Sequence, residues 1–317
     1  MPGFRVLVTA PQWAADAQQR LQQAGGRVEF MTEPITEGSL AARLSAGGFE
    51  AIVLRGSWPL TALVMDAAPA LRIIAKNGAG VDSVDLAAAR QRGITVAVAA
   101  GANADAVAEH ALAMMLALTR DLKRLDRGVR QGQWAGTAHQ GRDFRGSQVG
   151  IVGLGPIGRS TAHLAAALGA QVVVLRRAGG AGPFEVEADL DRLLDRVDIL
   201  SLHCPLTART VGLIGVRELA RLKPGSLLVN TARGAVVDEV ALVDALRSGR
   251  LGGAGLDTFV TEPLAADHPL LGLDNVILTP HVAGVTRAAS IRVATMTADN
   301  VVDCLAGRDP PPSHRIC

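Results

Sequence analysis

Residues 150–169 read GIVGLGPIGRSTAHLAAALG, and the order of residue types in this stretch decides the fold. An apolar run, Val149–Val152, leads into Gly153-x-Gly155-x-x-Gly158, and an Ala/Leu-rich segment follows at once. The run is short and β-branched, as buried strands are, and the segment after it consists of helix formers. With 35 glycines in 317 residues the bare spacing arises by chance. The flanking strand and helix therefore carry the argument. In that setting Gly153 permits the tight turn, Gly155 lets backbone approach a pyrophosphate, and Gly158 allows close helix–strand packing. The helix opening at Pro156 and Ile157 turns free N–H groups and the positive end of its dipole toward phosphates. The stretch predicts the first β-α turn of a dinucleotide-binding sheet.

One strand downstream, VVVLRRAGG (172–180) ends its apolar run at Leu175. An acid at this tip would hold the ribose hydroxyls of NAD. Arg176 and Arg177 stand there instead, and an arginine fork matches the 2′-phosphate of NADP. NADP is therefore the expected cofactor, with NAD the alternative.

Outward from the glycine turn, short apolar runs alternate with helical patterns, which predicts parallel α/β architecture. Phe4–Val8, Ala51–Leu54, Leu71–Ala75 and Thr95–Val98 read as four strands of a first block. Gln148–Val152, Gln171–Leu175, Ile199–Leu202, Leu227–Asn230, Gly253–Asp257 and Val276–Thr279 read as about six of a second. One long helix is predicted from Asp105 to about Arg130. Residues 131–146 read as a Gly-rich arm, and a last helix from Ala288 to about Ala306 precedes the Pro-rich tail DPPPSHRIC.

Composition excludes several classes of function. The chain is 49% hydrophobic and 20% charged with a net charge of only +2, and its basic residues are scattered, so no nucleic-acid footprint emerges. Aromatics make up 3% with no tyrosine, which leaves no base-stacking platform. Cys204, Cys304 and Cys317 form no CxxC pair and no Cys/His cluster, arguing against disulfides and structural zinc and for a reducing, cytoplasmic setting. No signal-peptide layout opens the sequence, and no segment reaches about 18 uninterrupted apolar residues, so no membrane span is expected.

Chemistry concentrates at strand ends in the second block, the edge that faces the ligand crevice in open α/β sheets. LLVNTARGAVVDE (227–239) places Arg233 in a turn, where it can grip a carboxylate bidentately. GLDTFVTEPL (255–264) supplies Asp257 and Glu262, and a carboxylate beside a histidine favours the protonated ring. VILTPHVAG (276–284) brings His281 to a tip suited to proton transfer. Each alone is as readily a surface charge or a structural histidine; three at strand tips beside a dinucleotide turn are not. His203, in DILSLHCPLT, reads as packing in the cofactor pocket without a chemical role.

In order along the chain, GLGPIG, LHCPLT, NTARGAVVDE, GLDTFVTEP and TPHVAG resemble the motifs of the D-isomer-specific 2-hydroxyacid dehydrogenases. NGAGVDSVDL (77–86) and ANADAVAEHAL (102–112) are similar to that family's substrate loop and hinge helix. The resemblance implies two doubly wound, Rossmann-like domains, the nucleotide domain (102–286) inserted into a substrate domain (1–101 plus 287–317). It implies Arg233, Glu262 and His281 as the catalytic set and Asp257 as the acid near the nicotinamide. A cofactor pocket of Gly153, Gly155, Pro156, Ile157, Gly158, Arg176, Arg177, His203, Cys204, Pro205, Thr210, Thr231, Ala232, Gly284 and Val107 follows from the same likeness. Asn77, Gly78, Ala79 and Gly80 would bind the substrate carboxylate. Arg55 and Lys76 stand where phosphoglycerate dehydrogenases carry basic residues.

The implied activity is reduction of a small 2-oxo acid such as glyoxylate or hydroxypyruvate. The alternatives are an NAD-linked D-3-phosphoglycerate dehydrogenase and, from another class, a cofactor-sensing binding protein like the corepressors that share this fold. The arm containing Trp134 resembles the segment through which family members form homodimers. Arg176 departs from the family's usual acid.

Overall fold

The computed structural model describes residues 3–32, 34–176 and 182–317. The chain forms two compact units, Met1–Asn103 with Val285–Cys317, and Ala104–Gly284. Among the described residues no helix is long and apolar enough to cross a membrane.

In the first unit β1 (Phe4–Val8), α1 (Ala15–Gln23), β2 (Gly26–Phe30), α2 (Glu37–Ser45), β3 (Ala51–Leu54), α3 (Ala62–Asp66), β4 (Ile73–Lys76), α4 (Leu86–Gln91) and β5 (Thr95–Val98) alternate. The strands are parallel in the order β2-β1-β3-β4-β5. Successive strand residues face opposite sides. Val6, Val53, Ala75 and Ala97 pack with residues of α1 and the C-terminal helix (Arg287–Leu305), whereas Leu7, Ile52, Ile74 and Val96 pack with residues of α2, α3 and α4. Thr36 and Asp85 cap α2 and α4 through bonds from the backbone of Ser39 and Ala88.

Two features differ from the sequence reading. The sheet has a fifth strand, β2, whose GRVEF pattern mixes charges into an edge position that is only partly buried. The Pro-rich tail, for which the sequence suggests no element, pairs with β5. Val96 N donates to Cys317 O (3.0 Å), Ile316 N to Val96 O (2.8 Å) and Val98 N to His314 O (2.8 Å), so the tail covers the open edge of β5.

The second unit opens with α5 (Ala104–Thr119) and α6 (Leu122–Arg130), then β6 (Gln148–Val152), α7 (Pro156–Ala167), β7 (Gln171–Leu175) and β8 (Glu185–Glu187). There follow α8 (Leu190–Arg196), β9 (Ile199–Leu202), α9 (Val216–Arg221), β10 (Ser226–Asn230), α10 (Glu239–Arg247), β11 (Leu251–Leu256) and β12 (Val276–Leu278). Its parallel sheet runs β12-β11-β10-β9-β6-β7-β8. Val149, Ile151, Val172, Val174 and Val229 pack with residues of α5 and α7, and Val173, Leu200 and Leu228 with residues of α8, α9 and α10.

The single helix expected over 105–130 is two. Asp121 takes a left-handed φ of 56° and breaks the ladder between α5 and α6. The seventh strand, β8, is a three-residue Glu-Val-Glu edge strand, too short and too charged to show as an apolar run.

Candidate active site

Strand order turns scattered sequence positions into neighbours. In the second unit's sheet the order reverses between β6 and β9, which creates the crevice at the carboxyl ends where ligands bind. To one side of this switch point stand His203 after β9, Arg233 after β10, Asp257 and Glu262 after β11, and His281 after β12. On the other side lie the glycine turn after β6 and Arg176 after β7. Strand spacing of about 4.8 Å puts the outermost of these tips, β12 and β7, roughly 24 Å apart.

His281 and Glu262 touch: Nδ1 lies 2.8 Å from Glu262 Oε2. Glu262 is held in turn, its Oε1 accepting from Phe259 N at 3.0 Å. If Nδ1–H donates to the carboxylate, the ring is fixed with Nε2 as its second, outward nitrogen. The histidine side chain is 49% exposed, so it is open to a reactant. Its backbone is unusual, because His281 and Asp121 are the non-glycine residues with positive φ among those described, and His281 has φ 55°. Such outliers persist only where neighbouring structure enforces them.

Arg233 sits at the tip of β10, next to the β11 tip that carries Glu262. Asn230 organises its turn by donating from Nδ2 to Arg233 O (2.9 Å) and accepting from Ala232 N (3.0 Å). Arg233 Nη1 donates to Ala232 O (2.6 Å). The next residue brings the tips of β10 and β11 together: a Cβ on Gly234 would lie 2.0 Å from the Phe259 carbonyl carbon. Only glycine allows that approach. Asp257 is 1% exposed and accepts from Val282 N (2.9 Å), Ala283 N (2.8 Å) and Thr279 Oγ1 (2.5 Å).

The glycine turn tests whether a dinucleotide fits. A Cβ on Gly153 would meet the His203 and Cys204 backbone at 2.7 Å, and one on Gly158 would lie 1.9 Å from Gly153 O. A Cβ on Gly155 would meet nothing within 4 Å. The turn is thus packed on its inner side and open at Gly155, the N-cap of α7, where the first N–H groups of the helix have no intrahelical acceptor. Three successive tips add polar atoms shut off from water and without a hydrogen-bond partner among the described residues: His203 Nδ1, Thr231 Oγ1 and Thr258 Oγ1. Buried polar groups normally have partners, so this edge suits a ligand with several polar atoms. Burial also pulls the His203 imidazole down to about 4 and pushes the Cys204 thiol up.

The rest of the expected pocket divides. Ile157 and Pro156 form the first turn of α7, Val107 and Ala232 are buried, Pro205 is exposed, and Gly284 closes the unit. The Thr210 hydroxyl is already used, donating to Pro205 O (2.6 Å) and accepting from Thr207 N (2.8 Å). Arg176 is half-buried, its backbone N–H bonded to Glu187 O at 2.9 Å, and Arg177 lies outside the described residues. Thr258, Thr279 and His110 were not singled out from the sequence; each sits in a stretch otherwise read as strand end or Ala/Leu helix.

In the first unit Arg55 and Lys76 follow or end the adjacent strands β3 and β4. Arg55 Nη1 donates to Gln12 O (2.5 Å) and Lys76 Nζ to Gly56 O. Trp13 Nε1 donates to Asn77 Oδ1 at 2.8 Å, orienting the start of the 77–80 loop. Gly78 takes φ 151°, and Ala79 is exposed beside half-buried Gly80.

Comparison with known proteins adds the family. The D-isomer specific 2-hydroxyacid dehydrogenase NAD-binding domain matches residues 112–283. The chain belongs to the D-isomer specific 2-hydroxyacid dehydrogenase family, a family of oxidoreductases. A D-3-phosphoglycerate dehydrogenase of Archaeoglobus fulgidus is 41% identical over 310 residues, which is 96% of this chain and 58% of that protein. A glyoxylate reductase of Korarchaeum cryptofilum is 40% identical over 261 residues, 80% of this chain and 79% of that one. The crystal structure of the TT0316 protein from Thermus thermophilus matches with a TM-score of 0.90 at 37% identity, over 99% of this chain and 100% of that one. The chain thus spans little more than half the length of the phosphoglycerate dehydrogenases it matches. The dinucleotide-type sheet is accordingly the family's NAD-binding domain, and a nicotinamide cofactor belongs to it.

Proposed function

We propose that the protein is a reductase of small 2-oxo acids, glyoxylate or hydroxypyruvate being the type, with NADPH as its preferred cofactor. The observation that carries this reading is the His281–Glu262 pair, 2.8 Å apart at a strand tip, with Arg233 on a neighbouring tip. A bound nicotinamide supplies or accepts the hydride. His281, its Nδ1 occupied by Glu262, delivers a proton from Nε2 to the carbonyl oxygen of the 2-oxo acid. Arg233 grips the substrate carboxylate and stabilises the negative charge that grows on the carbonyl oxygen. Oxidation of the hydroxy acid uses the same groups in reverse.

Support for NADPH comes from Arg176 at the tip of β7, where a guanidinium suits a 2′-phosphate and an acid would suit a ribose. A second reading, D-3-phosphoglycerate oxidation, is favoured by Arg55 and Lys76 on adjacent tips of the first unit, two cations suited to a phosphate. We infer a homodimer from the exposed apolar residues of α6 and the arm, Leu122, Val129 and Trp134, the last 84% exposed. Light scattering at the mass of a single 32.8 kDa chain would refute it.

A panel of 2-oxo acids assayed against NADPH and NADH tests the enzyme reading, with Arg176→Ala alongside wild type. Glyoxylate or hydroxypyruvate should be reduced, and the variant should raise KM for NADPH roughly 10- to 100-fold while leaving NADH little changed. Clear preference of the wild type for NADH would overturn the cofactor assignment. Turnover of 3-phosphoglycerate with NAD, in place of the small 2-oxo acids, would favour the second reading.

A further inference from the structure

We propose that His110 and Thr279 are positioning residues for His281, acting through the buried carboxylate of Asp257. The inference rests on the reading of His281 as the proton donor.

His281 occupies the left-handed region at φ 55°, which non-glycine residues adopt uncommonly, although histidine does so more readily than most. The group that holds the turn in this conformation is Asp257, at the end of β11. One carboxylate binds the chain on both sides of the histidine. Oδ1 accepts from the Thr279 hydroxyl, two residues before it, at 2.5 Å. Oδ1 also accepts from Val282 N at 2.9 Å, and Oδ2 from Ala283 N at 2.8 Å, the two residues after it. Between these clamps His281 N donates to Thr279 O at 3.0 Å, closing a tight turn about Pro280. Asp257 is itself fixed, its N–H bonded to Asn230 O at 3.0 Å and its side chain excluded from water.

The chain of bonds extends one link further. A hydroxyl has a single proton, and Thr279 gives it to a carboxylate that can only accept. Its oxygen therefore has only lone pairs to offer His110 Nε2, 3.0 Å away on α5. His110 must donate, which assigns the proton to Nε2 and runs the polarity His110 to Thr279 to Asp257. His110 Nε2 also lies 3.9 Å from Asp257 Oδ1. Helix α5 thus reaches the turn that aims the proton donor at the reactant. Hydrogen bonds to a charged group in such a chain polarise one another, so removing a distal link weakens the proximal one.

The test uses two pairs of variants. Thr279→Val and His110→Ala remove a link, whereas Thr279→Ser keeps the hydroxyl and His110→Gln keeps an N–H donor near the position of Nε2. Steady-state reduction of a 2-oxo acid, thermal unfolding and a crystal structure of Thr279→Val are the readouts. The removing variants should lower kcat roughly 10- to 100-fold with the cofactor KM nearly unchanged, and the conservative ones should recover most of it. In the crystal His281 should leave the left-handed region and its contact with Glu262 should lengthen. Wild-type kcat in Thr279→Val and His110→Ala would overturn the proposal, as would equal loss in the conservative variants. A wild type that turns over no 2-oxo acid would instead refute the functional reading. The crystal structure would then decide this inference alone, an unchanged His281 φ overturning it. Should Thr279→Val fail to fold, the His110 pair carries the same comparison.

Discussion

Alanine at Gly155 and alanine at Gly158 should produce opposite phenotypes, although the two residues lie three apart in one turn. At Gly158 the new Cβ would be 1.9 Å from Gly153 O, a backbone atom, so α7 must move by more than 1 Å to restore contact distance. Overpacking of this kind costs about 1–3 kcal/mol, offset by up to about 1 kcal/mol from alanine's better helix propensity. A net loss of about 1–2 kcal/mol in a unit of this size lowers Tm by roughly 2–8 °C. At Gly155 the backbone is ordinary extended, φ −71° and ψ −174°, and nothing lies within 4 Å. The gain from a stiffer unfolded chain and the loss of a glycine N-cap nearly cancel, so Tm should stay within about 2 °C of wild type. The methyl instead fills the space where a pyrophosphate would meet the backbone, and the cofactor Kd should rise roughly 10- to 100-fold. Thermal unfolding and NADPH fluorescence titration of both variants give the comparison. Wild-type affinity in Gly155→Ala, or wild-type Tm in Gly158→Ala, would refute the reasoning.

Two further outcomes follow. His203 has its folded pKa depressed from 6.5 to about 4, so the neutral ring is the one the fold accepts. Its contribution is fully present above pH 6.5 and is lost as pH falls toward 4, by at most about 3 kcal/mol. His203→Gln should flatten stability against pH in that window when unfolding is followed by denaturant titration, and an unchanged slope would show that the burial argument is wrong. Arg233→Lys keeps the charge but loses the fork, so kcat/KM for a 2-oxo acid should fall roughly 10- to 1,000-fold; a lysine variant of wild-type efficiency would remove the bidentate grip from the mechanism.

The parallel α/β class was legible because its central strands are apolar runs of four to six residues, such as Ile199–Leu202 and Ser226–Asn230. What escaped were edge elements. β2 and β8 carry charges because half their surface meets water, and the tail's pairing with β5 uses backbone bonds that leave little trace in side-chain pattern. The split between α5 and α6 turns on one left-handed aspartate, Asp121, in a continuously helical pattern. At the site, Arg233, Glu262 and His281 stand out because charged residues at apolar strand ends are conspicuous. His110 does not, since a single histidine in the helix AVAEHALAMM looks like any solvated position until β12 brings Thr279 within 3.0 Å of it.

The central claim is that His281 passes the proton in 2-oxo acid reduction. Its most direct test is the rate of NADPH oxidation by purified His281→Ala with saturating glyoxylate or hydroxypyruvate, beside the wild type. The account predicts a fall in kcat on the order of 100- to 10,000-fold, the range of a lost general acid, with NADPH binding intact. A variant as fast as the wild type would contradict it.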